Sequence, residues 1–147
     1  MAVAHHLIIE MADAKKTKFL VVDDDESLLD LIEIILDAAG FESTIVSNAP
    51  DALKTVSDKS QNLDGVILDL NLQDFPGERM IDDLRRLAPG LPIYITSGCL
   101  AEEIHERLEG RQVDGIITKP FRSADLTSKL RTGLEQRSIQ EPSSEGA

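Results

Sequence analysis

Three consecutive carboxylates, Asp23, Asp24 and Asp25, directly follow a short apolar run at residues 19–22. The bulky and partly β-branched residues of that run predict a strand buried on both faces. In an open α/β sheet, ligands bind beyond the carboxyl ends of the strands, which is where this acidic cluster falls. Aspartate also caps helices and is stabilised by the helix dipole, but one aspartate is enough for that purpose. Three like charges side by side therefore suggest a bound positive group.

Three later apolar runs also end in polar residues, which are Asp69, Ser97 and Lys119. Each has a simpler explanation when taken alone: Asp69 could start a turn, Ser97 could be a loop hydroxyl, and Lys119 could be a solvated cation. Parallel strands, however, bring their carboxyl ends to one edge of the sheet. Together with the acidic cluster, these residues predict a combined metal and phosphate site.

The residue types at this edge indicate what chemistry such a site would support. Oxygen ligands without histidine or cysteine suit magnesium. Once a cation balances its charge, an aspartate can attack phosphorus and form an aspartyl-phosphate. Phosphoryl transfer asks the protein mainly for positioning and charge neutralisation. Ser97 and Lys119 would then hydrogen-bond and ion-pair with the phosphoryl oxygens.

Strand and helix patterns alternate five times along the chain. Such alternation with short connections predicts parallel strands, right-handed crossovers and helices on both faces of the sheet. Continuous apolar strands agree with a sheet that is covered on both sides. The expected fold is α/β, a doubly wound parallel sheet of five strands. The strand patterns lie at residues 19–22, 44–46, 66–68, 93–96 and 115–118, and the helical patterns at 28–36, 49–56, 80–87, 100–108 and 126–134.

Length and composition limit the class of protein. The 147 residues fit one domain, expected at residues 17–136 between disordered tails at 1–16 and 137–147. A net charge of −12 argues against a nucleic-acid partner, because binding nucleic acid requires clustered lysine and arginine. No apolar run approaches the length of a membrane span, and no secretion signal is recognisable. The single cysteine, Cys99, is expected to be a buried structural thiol in a cytoplasmic protein.

Four motifs in this order resemble those of the receiver domains of two-component response regulators: VVDDD (21–25), ILDLN (67–71), ITSG (95–98) and TKPF (118–121). The resemblance extends over about Lys18–Gln136. It implies a flavodoxin-like (βα)5 fold with strand order 2-1-3-4-5. It also implies a signalling module rather than a dedicated enzyme, phosphorylated by a histidine kinase or a phosphotransfer protein.

The resemblance assigns a role to each residue of the acidic cluster. Asp69 matches the phosphoacceptor. Asp23 and Asp24 match the residues that hold magnesium, together with Asp69 and the backbone carbonyl of Asn71. Asp25 exceeds the usual acidic pair, and we expect it to cap the first helix.

The resemblance also assigns the residues that respond to phosphate. Ser97, which precedes the small residue Gly98, matches the switch hydroxyl. Lys119 matches the phosphate counter-ion, and its bond to Pro120 is expected to be cis, an isomer that is uncommon elsewhere. Phosphorylation would draw Ser97 inward and shift the surface formed by the fourth helix, the fifth strand and the fifth helix. The output is then expected to be a protein contact or phosphate passed on in a relay.

Two positions depart from the receiver pattern. Gln73 stands where the loop after the phosphoacceptor usually has proline, and the nearest proline is Pro76. Ile116 stands where the fifth strand usually carries an aromatic residue that responds to phosphorylation. The loop geometry and the usual coupling between hydroxyl and aromatic residue are therefore in question.

Two other functions compete with a phosphoacceptor. Residues 23–27 can be read as the Asp-x-Asp signature of a haloacid-dehalogenase-like phosphatase, in which Asp23 would be the nucleophile. No acidic pair follows Lys119 to complete that enzyme's metal site. The second alternative is a degenerate receiver that acts as a constitutive binding module, which Gln73 and Ile116 leave open.

Overall fold

The structure, a computed structural model, describes the backbone of residues 15–145 and the side chains of residues 15–136. It contains a five-stranded parallel sheet in the order β2-β1-β3-β4-β5, which confirms the predicted flavodoxin-like fold. The strands are β1 (Lys18–Val22), β2 (Glu42–Val46), β3 (Gly65–Asp69), β4 (Ile93–Ser97) and β5 (Gly115–Thr118), and the helices are α1 (Glu26–Ala38), α2 (Ala49–Ser57), α3 (Gly77–Leu87), α4 (Ala101–Leu108) and α5 (Ser123–Glu145).

The register of the strands aligns their carboxyl ends. Val22 lies beside Leu68 in the ladder between β1 and β3. Ser97 lies beside Thr118 in the ladder between β4 and β5. Residues that follow or end these strands therefore meet at one edge of the sheet, as the sequence predicts.

The core has two apolar layers, one on each face of the sheet. Val22 and Leu68 belong to the layer that also contains residues of α2, α3 and α4. Val21 and Ile67, which point to the opposite face, belong to the layer with residues of α1 and α5. Burying one such side chain stabilises a fold by roughly 1.5–3 kcal/mol. Burial on both faces explains why β1 and β3 are almost continuously apolar.

Local signals set the bounds of the first two helices. Asp25 Oδ1 accepts a hydrogen bond from the backbone N–H of Leu28 at 3.2 Å, so Asp25 caps α1 as predicted. Asn48 caps α2 in the same way, accepting from the N–H of Asp51 at 2.8 Å. After α1, Gly40 has a φ of 88°, a left-handed conformation that favours glycine.

The last helix extends farther than expected. Its backbone is helical to Glu145, whereas the sequence predicts a disordered tail from residue 137. Polar composition alone does not oppose a helix, because Glu, Gln and Arg are good helix formers, and the domain boundary at residue 136 stays a prediction. The first glycine after Gln136 is Gly146.

The predicted N-terminal tail and the absence of a membrane span can be compared with the structure only within the described residues. Of the predicted tail at 1–16, residues 1–14 lie outside them. Within the described part, no helix has both the length and the apolar character that crossing a bilayer demands.

Candidate functional site

Three carboxylates meet at the carboxyl edge of the sheet. One oxygen from each of Asp23, Asp24 and Asp69 lies within 4.8 Å of the others. Asp23 follows β1 and Asp69 ends β3, and these neighbouring parallel strands bring the two together. Both residues are buried, at 1% and 4% exposure, while Asp24 is half-buried. The predicted acidic cluster is therefore formed.

Backbone N–H groups fix the two buried carboxylates. Asp23 Oδ1 accepts from the N–H of Asp25 at 2.9 Å. Asp69 Oδ1 accepts from the N–H of Asn71 at 3.0 Å. In each case the donor lies two residues downstream, in the turn that leaves the strand. This arrangement orients both side chains and leaves their Oδ2 atoms toward a common partner.

That common partner is Lys119. Its Nζ lies 3.0 Å from Asp23 Oδ2 and 3.4 Å from Asp69 Oδ2. The backbone N–H of Lys119 donates to the carbonyl of Ser97 at 2.7 Å, and the bond between Lys119 and Pro120 is cis, as predicted. The predicted cation therefore reaches the acids from β5, across the intervening strands.

Burial and charge act in opposite directions on this pair. Burial raises the pKa of Asp23, and the hydrogen bonds from Asp25 and Lys119 only partly oppose it. For Lys119, burial acts to lower the pKa, but Asp23 and Asp69 more than offset this and the pKa is raised. Lys119 is thus protonated at neutral pH. Ionised Asp23 costs free energy in the fold, and a further bound cation would relieve that cost.

Ser97 ends β4 and is fully buried. Its Oγ accepts a hydrogen bond from Asn71 Nδ2 at 3.4 Å and another from the N–H of Cys99 at 3.1 Å. Gly98 is exposed, and an added methyl group there would meet no atom within 4 Å. Ser97 is therefore linked to the acidic cluster through Asn71, which also contacts Asp69.

Ile116 lies in β5 beside Ile95 and is partly buried. It packs against the apolar layer that contains Ile104 and Leu108 of α4. Without an aromatic ring or a hydroxyl, Ile116 can reach Ser97 only through aliphatic packing. The sequence departure at this position therefore leaves an aliphatic side chain packed against the layer that includes α4.

Two features of the site were missed or misjudged from sequence. Arg107 of α4 donates to the carbonyl of Leu70 at 3.0 Å and to Asn71 Oδ1. Arg107 is far from Asn71 along the chain, so the sequence alone did not indicate this contact. Cys99, expected to be buried, is instead partly exposed, and its Sγ lies 3.8 Å from Asn71 Nδ2. Hydrogen bonds from Ser97 and Asn71, with the nearby Arg107, lower the pKa of the Cys99 thiol.

The donor set fits magnesium. Asp23, Asp24 and Asp69 offer only hard oxygen atoms, close enough together to share one ion. Magnesium is usually held by one or two carboxylates, with waters and phosphate completing its shell.

The fold and this site have the architecture expected of a receiver module. The sequence model described as "Response regulator receiver domain" matches residues 19–131, and the chain belongs to that family. It is a receiver domain of the two-component response regulators, which accounts for the predicted signalling function. This membership does not favour the phosphatase or the constitutive binding module.

Solved receiver structures share the fold along nearly their whole length. A CheY-like receiver domain protein from Methanospirillum hungatei JF-1 is 25% identical with a TM-score of 0.78, and the match covers 86% of this chain and 99% of that one. A response regulator receiver protein from Sinorhizobium medicae WSM419 is 30% identical with a TM-score of 0.72, covering 84% and 98%.

Similar curated proteins are longer. The DNA-binding response regulator MtrA of Mycobacterium tuberculosis H37Rv is 34% identical over 133 residues, which is 88% of this chain and 55% of MtrA. The alkaline phosphatase synthesis transcriptional regulatory protein PhoP of Bacillus subtilis is 28% identical over 130 residues, 87% of this chain and 52% of PhoP. The chain spans about half the length of the curated relatives it matches.

Proposed function

We propose that this chain is a magnesium-dependent phosphoacceptor in which Asp69 takes phosphate from a histidine kinase or a phosphotransfer protein. The observation that carries the proposal is the position of Lys119 Nζ, 3.0 and 3.4 Å from Asp23 and Asp69. A lysine that only balanced surface charge would not need to reach two buried carboxylates. This ammonium lies where the oxygens of a phosphoryl group on Asp69 would need a counter-ion.

In the proposed reaction, a carboxylate oxygen of Asp69 forms a bond to phosphorus. The bond from phosphorus to the donor's imidazole nitrogen breaks, and the imidazole leaves and takes up a proton. The hydrogen bond from the Asn71 N–H holds the attacking side chain in place, which reduces the loss of freedom on reaction. Lys119 then pairs with the transferred oxygens, and Ser97 donates a hydrogen bond to one of them.

Asp23, Asp24 and Asp69, with the backbone carbonyl of Asn71, would hold the magnesium ion. The bound ion supplies neutralisation of the charge that develops on the phosphoryl oxygens. The protein's own contribution is the fixed orientation of the carboxylates, since Asp23 is held by the N–H of Asp25.

The proposed output is a change in the surface of α4, β5 and α5 when Ser97 moves toward the phosphoryl group. The partly buried Ile116 would transmit the movement through its contact with the α4 layer. A protein partner or a further step of a relay would receive the signal. We also propose that the protein acts in the cytoplasm and is not a dedicated enzyme.

The prediction that nucleic acid is not a partner remains a proposal. It rests on the net charge of −12. MtrA is named as DNA-binding, but this chain spans only 55% of MtrA's length. The DNA-binding activity in MtrA's name therefore belongs to a protein of which this chain matches only about half.

Intact-mass spectrometry after incubation with acetyl phosphate and Mg²⁺ tests the proposed function. The wild type should gain the mass of one phosphoryl group, and Asp69→Asn should gain none. Asp25→Asn is the matched control, because it changes a neighbouring acid that caps α1, and asparagine caps equally well. Equal gain in the wild type and in Asp69→Asn, or no gain in the wild type, would contradict the proposal.

A further inference from the structure

Arg107 reaches from α4 into the loop that follows Asp69. Its Nε lies 2.8 Å from Glu78 Oε1, and its Nη2 lies 3.0 Å from the carbonyl oxygen of Leu70. Its Nη1 donates to Asn71 Oδ1. The carbonyl of Leu70 is accessible because Gly77 has no side chain: an added Cβ would overlap this oxygen. One guanidinium thus ties α4 to both ends of the loop.

A second arginine provides an internal comparison. Arg111, which lies just beyond the end of α4, pairs with Asp82 of α3 through Nε at 2.8 Å and Nη2 at 3.0 Å. Asp82 is one turn beyond Glu78. The two pairs therefore link α3 to α4 and to the loop directly after α4. Of the two, only the Arg107 pair also contacts the loop after Asp69.

The contact with Arg107 determines which way the Asn71 amide faces. A guanidinium has only donors, so the amide oxygen of Asn71 must face Arg107. The amide nitrogen then faces Ser97 and donates to its Oγ at 3.4 Å. With the N–H of Cys99 as a second donor, Ser97 Oγ accepts two hydrogen bonds in this arrangement. The hydroxyl proton of Ser97 is still free to donate, but the proposed movement of Ser97 Oγ toward a phosphoryl group on Asp69 would break its bond to Asn71.

We propose that Arg107 is a positioning residue that holds Ser97 in its unphosphorylated arrangement through the Asn71 side-chain amide, and so slows phosphorylation of Asp69. This inference rests on the proposed function, since it describes how that site is restrained. It assigns to α4 a role at the start of the switch, in addition to its role in the output surface.

The rate of phosphorylation by acetyl phosphate, at saturating Mg²⁺, tests this restraint. Arg107→Ala should accelerate it about three- to tenfold, the factor that corresponds to the net contribution of one hydrogen bond. Arg111→Ala removes the neighbouring pair with α3 and should leave the rate unchanged. An unchanged or slower rate in Arg107→Ala, or equal acceleration in Arg111→Ala, would overturn the proposal.

A double-mutant cycle tests whether Arg107 acts through Asn71. Asn71→Ala removes the amide but keeps the backbone carbonyl, and should accelerate phosphorylation as well. The double variant should then be no faster than Asn71→Ala alone, because both changes release the same restraint. Multiplying effects would show that Arg107 does not act through this amide.

Amide NMR of the metal-free, unphosphorylated protein provides a readout that does not depend on activity. The side-chain signals of Asn71 and the backbone signal of Cys99 should shift in Arg107→Ala and not in Arg111→Ala. Unmoved signals would overturn the positioning role. Failure of the proposed function is distinguishable, since it would appear as a wild type that takes no phosphate on Asp69.

Discussion

The backbone N–H of Gln73 donates a hydrogen bond to Asp24 Oδ2 at 2.9 Å. Gln73 occupies the position where receiver domains usually have proline, a residue without an N–H. The departure from the usual sequence therefore provides a bond to a proposed metal ligand. It links the loop after β3 to the turn after β1.

This bond predicts that the N–H of Gln73, and not its side chain, supports magnesium binding. Hydrogen-bonding partners of metal ligands typically contribute about 10–100-fold to metal affinity. Gln73→Pro should weaken Mg²⁺ binding in calorimetric titration by about tenfold, at the lower end of that range. Gln73→Ala keeps the N–H and is the matched control. Equal affinities in the two variants would show that the bond to Asp24 does not matter.

A second prediction follows from the raised pKa of Asp23. Since burial raises this pKa in the folded state, ionised Asp23 destabilises the fold, and the cost is complete above the folded pKa. Asp23→Asn should therefore raise the midpoint of thermal unfolding at pH 7 without divalent ions. The advantage should disappear as the pH falls below about 3.8, where the carboxyl is protonated in both states. A less stable variant at pH 7 would contradict this account.

Lys119→Met tests the cation that pairs with Asp23 and Asp69. Removing the ammonium leaves Asp23 and Asp69 without their shared cation, so the free energy of unfolding at pH 7 should fall by about 1–3 kcal/mol. Because the pKa of Lys119 is raised, its stabilisation is present below 10.5 and is lost as the pH rises through the folded value. Urea unfolding measures both effects. The exposed Lys129 provides the control substitution. An equal fall in the free energy of unfolding in Lys129→Met would contradict the proposed role of Lys119 as the shared cation.

Magnesium itself should stabilise the fold, because it relieves repulsion among the acids. At ten times its dissociation constant, the free energy of unfolding should increase by about 1.4 kcal/mol. Thermal unfolding of the wild type beside Asp24→Asn measures this, and the variant should lose most of the gain. A wild-type midpoint that does not respond to excess Mg²⁺ would argue against the metal site.

Much of the fold was predictable because the three central strands, β1, β3 and β4, are buried on both faces. The continuous apolar residues at Val21, Val22, Ile67 and Leu68 identified strands without any knowledge of their partners. The parallel arrangement then fixed where Asp69 would lie relative to the first acidic residues. Lys119 was predictable for the same reason, since its strand ends at the same edge.

The sequence could not predict the contacts that long side chains make across the fold. Arg107 is a polar residue on an amphipathic helix, and nothing in its local pattern separates it from a solvated cation. The bond from the Gln73 N–H to Asp24 depends on the path of a loop. Cys99 was expected to be buried, but its exposure depends on the path of another loop, between β4 and α4. The end of α5 could not be placed from sequence because polar residues are compatible with both a helix and a tail.

The measurement that tests the central claim most directly is the location of the phosphorylated residue. Sodium borohydride reduces an aspartyl-phosphate to homoserine, which peptide mapping can then place in the chain. After treatment with acetyl phosphate and Mg²⁺, homoserine should be found at position 69, and Lys119→Met should reduce its yield. Homoserine at position 23 in place of position 69 would contradict the account and favour the phosphatase.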